Sequence, residues 1–158
     1  MTNEERQDQA KMLRAALGGE GAFAPVKNIL EGLGRDEAMT RPPGLPYSIA
    51  EVVAHMDFWQ GRVLTTLETD ASPPQVQHAV DSWQPATWPL AAEQFLNGLA
   101  RLNALSGDAG ILSRSFGDES GAAHIYNVAL HNAHHLGQVV ALRRLAGAWP
   151  PPSGGETW

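Results

Sequence analysis

An all-α chain, folded as a four-helix bundle, is predicted by three features of the sequence. Apolar residues recur at helical spacing over long runs, Pro and Gly gather between those runs, and no strand candidate exceeds a few residues. The 16 Gly and 11 Pro concentrate at 41–46 (RPPGLP), 72–74 (SPP), 85–89 (PATWP) and 147–155 (GAWPPPSGG). Punctuation of that kind separates long helices. With 158 residues the chain has the length of one domain, 1–158, able to bury about two-thirds of the surface its unfolded form exposes.

A first helix is predicted over 3–17, with Leu13, Ala16 and Leu17 on one side, stopped by GGEG. A short second run, 24–32, carries Val26, Ile29 and Leu30, with Leu33 just beyond, and completes a broken helical arm. After RPPGLP, Ser48 precedes an apolar-periodic run and Glu51 stands three residues on. That is the spacing of a capping box, in which each side chain satisfies a backbone N–H at the other residue. The second long helix starts there and runs to 68 on the stripe Ile49, Val52, Val53, Met56, Gln60, Val63, Leu64 and Leu67. A connector over 69–87 follows; at roughly 3.3 Å per residue it can travel the length of a twenty-residue helix, so the second and third long helices can run parallel. Thr87 is the expected cap of the third, with Pro89 in its first turn and Leu90, Phe95, Leu99, Leu102 and Leu105 on its apolar face. A linker, GDAGILSRSFGDESG, leads to the last helix over 122–146, with Arg143 and Arg144 in its final turn and Gly147 at the stop.

Eleven Lys and Arg against seventeen Asp and Glu leave a formal charge of −6, the wrong sign for affinity won from a phosphate backbone, so no nucleic-acid partner is expected. Without cysteine there is no disulfide framework, no thiolate metal site and no thiol nucleophile from the chain itself. The N-terminus is charged from Glu4 onward and lacks a signal-peptide core, and nowhere do eighteen apolar residues run together. A cytoplasmic protein without a membrane partner is expected. Trp83, Trp88 and Trp149 flank turns and suit packing against the bundle ends, while the tail, 148–158, ends on Trp158 and is expected to dock on the protein's own surface.

Six His occur, at 55, 78, 124, 131, 134 and 135, three of them in HNAHHLGQ. His131 and His135 lie about 40° and one turn apart on a helix, so both rings can reach one point. Gln138, Leu142 and Val128 share that face, which therefore looks into the bundle, where an imidazole needs a partner and a metal ion supplies one. A bare HxxxH is also what core histidines bonded to backbone or side chains look like. His55, on the second long helix, offers a third nitrogen if that helix neighbours the last; it lies about 100° from the centre of its helix's apolar stripe and so must sit at a seam. Three His ligands leave positions open for water or substrate, the layout of a catalytic site. His134 points about 60° to the other side of His131, so His135 is preferred. His124 stands two turns away, about 10 Å along the axis, too far for the same ion. His78 reads as an exposed connector residue, and Asn132 stands where a zinc protease's HExxH motif carries its general-base Glu. Glu51 is a cap and Asp57 points elsewhere, so no catalytic base is assigned.

These residues resemble the DinB-like superfamily, which includes the YfiT-type metalloenzymes. The resemblance spans most of the chain: SIAEVVAHMDFWQGRVL with one His, the Trp- and Pro-containing connector, and LHNAHHLGQVVALRRLAGAWPPP, its most specific part. It implies a bundle of up-down-down-up order with the long crossover between the second and third helices. It also implies a metal triad of His55, His131 and His135, with Gln138 on the site face. One divalent ion, zinc, nickel, iron or manganese, suits three imidazoles. Relatives include bacillithiol-using thiol S-transferases and a mycothiol-dependent isomerase, and other members are described as metal-dependent hydrolases. A metal ion lowers the pKa of bound water or thiol, which serves either chemistry.

The expected function is therefore that of a metal-dependent enzyme acting on a small-molecule substrate, as a thiol S-transferase of bacillithiol type, with a low-molecular-weight thiol co-substrate, or as a hydrolase. A homodimer is compatible with such a bundle. The alternatives are a non-catalytic metal-binding stress protein, whose ion would be fully enclosed by ligands, and a metal-free helical interaction bundle.

Overall fold

The computed structural model describes residues 1–20 and 22–154. Its long elements are helices, each begun and ended by local chemistry. α1 (Asn3–Gly18) opens on a capping box, with the Glu5 N–H donating to Thr2 Oγ1 at 3.2 Å and the Thr2 N–H to Glu5 Oε2 at 2.6 Å. It stops where Gly19 turns left-handed at φ 82°, a conformation that L side chains resist. Two short helices follow, α2 (Val26–Leu30) and α3 (Arg35–Met39). α4 (Ile49–Thr69) starts with the anticipated box: the Glu51 N–H donates to Ser48 Oγ at 3.3 Å and the Ser48 N–H to Glu51 Oε2 at 2.8 Å.

The connector contains one short helix, α5 (His78–Asp81), before α6 (Leu90–Leu105). α7 (Ala109–Ser113), capped by Asp108, and a two-residue-per-strand hairpin, β1 (Ser115–Phe116) with antiparallel β2 (Glu119–Ser120), precede α8 (Gly121–Leu145). Past α8, Gly147 takes φ 69° and the Ala148 N–H donates back to the Arg143 carbonyl at 2.8 Å, closing the helix end as the Gly-then-Pro stop predicts.

α4 packs chiefly against α6 and α8, and α1 against α8 and α6. Val52, Val53 and Met56 of α4, Phe95 and Leu102 of α6, and Ile125, Leu136 and Val139 of α8 lie in the shared apolar core. α4 and α6 approach closely at Gly98, where an added Cβ would fall 2.4 Å from Gln60 Nε2. Gln60 is fully buried, and that nitrogen donates to the Phe95 carbonyl at 2.7 Å. Arg143, also buried, donates to the Ile29 carbonyl at 2.6 Å and the Ala148 carbonyl at 3.0 Å, fastening α2 and the chain beyond α8 to the helix.

Several expectations change. α3 is an addition to the predicted broken arm, and the predicted 107–121 linker holds α7 and the hairpin. α6 is capped by Pro89 and not by the Thr87 hydroxyl; Thr87 contributes its carbonyl, which accepts from the Ala91 N–H at 3.0 Å. Trp88 is buried, its indole N–H donating to the Leu33 carbonyl at 3.0 Å. His78, expected as an exposed loop residue, begins α5 within the connector, and the exposure of its side chain lies outside the described residues. The tail beyond 154, Trp158 included, lies outside the described residues. Among those described, no helix is long and apolar enough to cross a membrane.

Candidate metal centre

α4 and α8 meet along the seam that holds His55, His131 and His135. One ring nitrogen from each lies within 4.8 Å of the others, an arrangement that could hold one metal ion. The ring centroids of His131 and His135 are 4.5 Å apart, those of His55 and His135 4.6 Å, and those of His55 and His131 5.1 Å. His55 is fully buried, His135 is 8% exposed and His131 is half-buried.

Tautomers follow from what the other nitrogens touch. His55 Nδ1 lies 3.1 Å from the Ser82 carbonyl, which only accepts, so Nδ1 carries the hydrogen and Nε2 faces the cluster. His135 Nδ1 lies 2.7 Å from Gln138 Oε1, an arrangement in which the ring donates to the amide oxygen. His131 Nδ1 stands 3.5 Å from Asn132 Oδ1, at the outer limit of a hydrogen bond. His55 Nε2 and His131 Nε2 are 3.2 Å apart. Two imidazole nitrogens on one ion, each at about 2.0–2.1 Å, stand about 2.9–3.4 Å apart for angles between octahedral and tetrahedral. The observed separation fits that range, and the buried donor set, all imidazole with carbonyl or amide partners behind it, fits a borderline divalent ion.

Aromatic rings wall the cluster. Trp83 stacks on His55 with centroids 4.0 Å apart and planes 12° from parallel, and Tyr47 stacks on the other face of Trp83 at 4.2 Å and 13°. Trp59 presents an edge-on ring 6.3 Å from His131. Arg62 lies 5.6 Å over Trp59 and donates to the Pro74 carbonyl at 2.7 Å, tying the connector to α4. The side chain that stood off the apolar stripe of its own helix is thus covered by the connector, whose residues 82 and 83 supply a carbonyl and an indole.

Of the other candidates, the side chain of His78 lies outside the described residues, and the rest stand apart from the three converging nitrogens. His134 is exposed, its ring 5.0 Å from that of His135. His124 Nε2 reaches the Phe116 carbonyl at 3.3 Å, beside the hairpin. Glu51 is taken up by its cap and by a two-pronged pair with Arg41, which holds its carboxyl down at about 2. Burial raises Asp57, and its carboxylate accepts from Gln60 Nε2 at 3.0 Å.

Sequence reasoning missed Ser82, Trp83 and Tyr47. An indole in a Pro-rich connector signals burial somewhere, but nothing local says against what, because the partner is twenty-eight positions back for Trp83 and reached only when the connector folds over α4. Compared with known proteins, the chain matches no family model, no curated protein and no solved structure. What the structure supports is a helical chain that brings three histidines close enough together to hold one metal ion.

Proposed function

We propose that the chain is a metal-dependent enzyme of the DinB-like type, a single domain with an up-down-down-up bundle, acting on a small molecule as a thiol S-transferase or a hydrolase. His55, His131 and His135 hold one divalent ion, each through Nε2. The observation that carries the reading is the convergence of these nitrogens from two helices, backed by the Ser82 carbonyl and the Gln138 amide, which orient two of the rings. Such an ion supplies Lewis acidity, lowering the pKa of a water or thiol that reaches it. The chain's own residues do the rest: Ser82 and Gln138 set the tautomers, Trp83 fixes the His55 plane, and Trp59, Trp83 and Tyr47 restrict water around the cluster. With no cysteine in the sequence, thiol chemistry here requires an external low-molecular-weight thiol.

The test is native mass spectrometry and elemental analysis of untagged protein, followed by a screen of electrophiles with and without bacillithiol, mycothiol, glutathione or coenzyme A. The expected result is one ion per chain and turnover that chelation abolishes. No ion after supplementation, or two per chain, overturns the metal assignment. An ion held without turnover of any electrophile overturns the enzymatic reading and leaves a metal-binding protein.

A further inference from the structure

An open cavity of about 230 Å³ lies beside the histidines, lined by Leu45, Pro46, Tyr47, Gln138, Ala141 and Leu142. Two of these residues belong to the metal centre as well. Tyr47 is the outer ring of the Tyr47–Trp83–His55 stack, and Gln138 touches His135 Nδ1. No Lys, Arg, Asp or Glu lines the cavity, so a carboxylate, phosphate or ammonium placed there would lose water without gaining a counter-charge. Apart from the Tyr47 hydroxyl, the polar side chain in its wall is the Gln138 amide.

The direction of that amide follows from the histidine. This step rests on the metal reading: ligation through His135 Nε2 leaves the hydrogen on Nδ1, so the atom 2.7 Å away must be the amide oxygen. The NH2 group is then turned away from His135, and among the described residues it makes no hydrogen bond. A half-buried donor in the wall of an apolar cavity calls for an acceptor on whatever fills it.

We propose that this cavity binds the electrophilic substrate as an uncharged, largely apolar small molecule bearing a carbonyl or similar acceptor. Gln138 Nε2 donates to the acceptor, and Tyr47, Leu45 and Leu142 pack against the apolar body. The cavity falls below the roughly 300–1,000 Å³ of sites for drug-sized ligands, so the body is about the size of one substituted ring. The external thiol, polar and charged, does not belong here.

The experiment uses zinc-loaded, untagged, full-length protein, titrated with benzamide, benzoate, benzylamine and toluene and followed by amide NMR. Benzamide is expected to shift the backbone signals of Tyr47, Gln138 and Leu142 and the Gln138 side-chain NH2, and to bind at least fivefold more tightly than the other three. Ala141→Trp, introduced from an exposed position, fills the cavity and should remove these shifts with the zinc content unchanged. Gln138→Glu keeps an acceptor for His135 Nδ1 but deletes the donor, and should erase the preference for benzamide over toluene. Zinc-loaded protein without Ala141→Trp-sensitive benzamide shifts, or with benzoate or benzylamine bound as tightly, overturns the cavity assignment alone. Failure to take up zinc at all overturns the metal reading, and with it the amide orientation.

Discussion

Replacing His135 and His134 in turn, and adding a chelator to each variant, separates a metal centre from a packed histidine cluster. An ion that binds only the folded chain stabilises it by RT ln(1 + [L]/Kd), about 4 kcal/mol at a thousandfold excess over Kd. Unfolding entropy is about 2.1 cal/mol/K per residue, roughly 0.33 kcal/mol/K for 158 residues, so chelation should lower the melting temperature by about 12 °C. His135→Ala removes a buried imidazole whose ring touches both partner histidines and, on the proposed metal reading, should abolish the chelator-sensitive increment. His134 is exposed, and His134→Ala should leave that increment within about 0.5 kcal/mol of its original size. The assay is thermal unfolding by circular dichroism with zinc and with chelator. The comparison within each variant cancels packing lost by the substitution itself. Helicity at 25 °C should persist under chelation, because the core of α4, α6 and α8 is aliphatic and aromatic and does not run through the histidines. An undiminished increment in His135→Ala, or its loss in His134→Ala, would refute the assignment of the inward face of α8.

Gln138→Ala should weaken zinc affinity ten- to a hundredfold without changing the one-ion stoichiometry, since it strips the partner of His135 Nδ1; unchanged affinity by competition titration would refute that role. Glu51 has its carboxyl held at about 2, well below the ordinary 4.5, so its contribution is fully present above about pH 4.5 and is lost as pH falls toward 2. Glu51→Gln keeps a capping side chain but removes that dependence; because Arg41 is largely exposed, the acid-linked loss is discounted to about 1 kcal/mol, read by denaturant melts at pH 6 and pH 2.5, and equal slopes in both proteins would count against it. Arg143→Ala leaves the Ile29 and Ala148 carbonyls without their buried donor and should cost about 2–4 kcal/mol in urea unfolding with zinc content intact; a cost under 0.5 kcal/mol would show that the fastening of α2 is idle.

The long helices were legible because their signals are local. Ser48 and Glu51 form their box within one turn, and the Gly147 stop acts within five residues of Arg143. His131 and His135 were legible for the same reason, since i and i+4 share a face whatever the rest of the chain does. His55 was legible only conditionally. Its angular distance from the apolar stripe required a seam, and the seam exists because the connector lays Ser82 and Trp83 over it. The short elements escaped. α3 and α7 have five residues each, too few for a periodic stripe to show, and the hairpin pairs two residues per strand across a glycine turn at Gly117. Thr87 misled because a hydroxyl before a proline is a common cap, while here the chain turns two residues later and uses the carbonyl alone.

The connector is where sequence and function part company most. A twenty-residue crossover between helices reads as a tether, and its length alone says only how far it can reach. In the folded chain it is also a wall. Arg62 holds it to α4 through the Pro74 carbonyl, Ser82 orients the His55 ring, and Trp83 lies flat between His55 and Tyr47. Tyr47 itself comes from the RPPGLPY turn that precedes α4 in the chain, so two Pro-rich segments, distant in sequence and without secondary structure of their own at these points, close over one histidine. Backbone carbonyls and flat rings suit that task. A carbonyl accepts from Nδ1 without adding a charge that would compete for an ion held as proposed, and stacked rings hold the imidazole plane while keeping the surroundings poor in water. The helices α4 and α8 therefore supply the three imidazoles, and the irregular chain decides how the His55 ring is aimed.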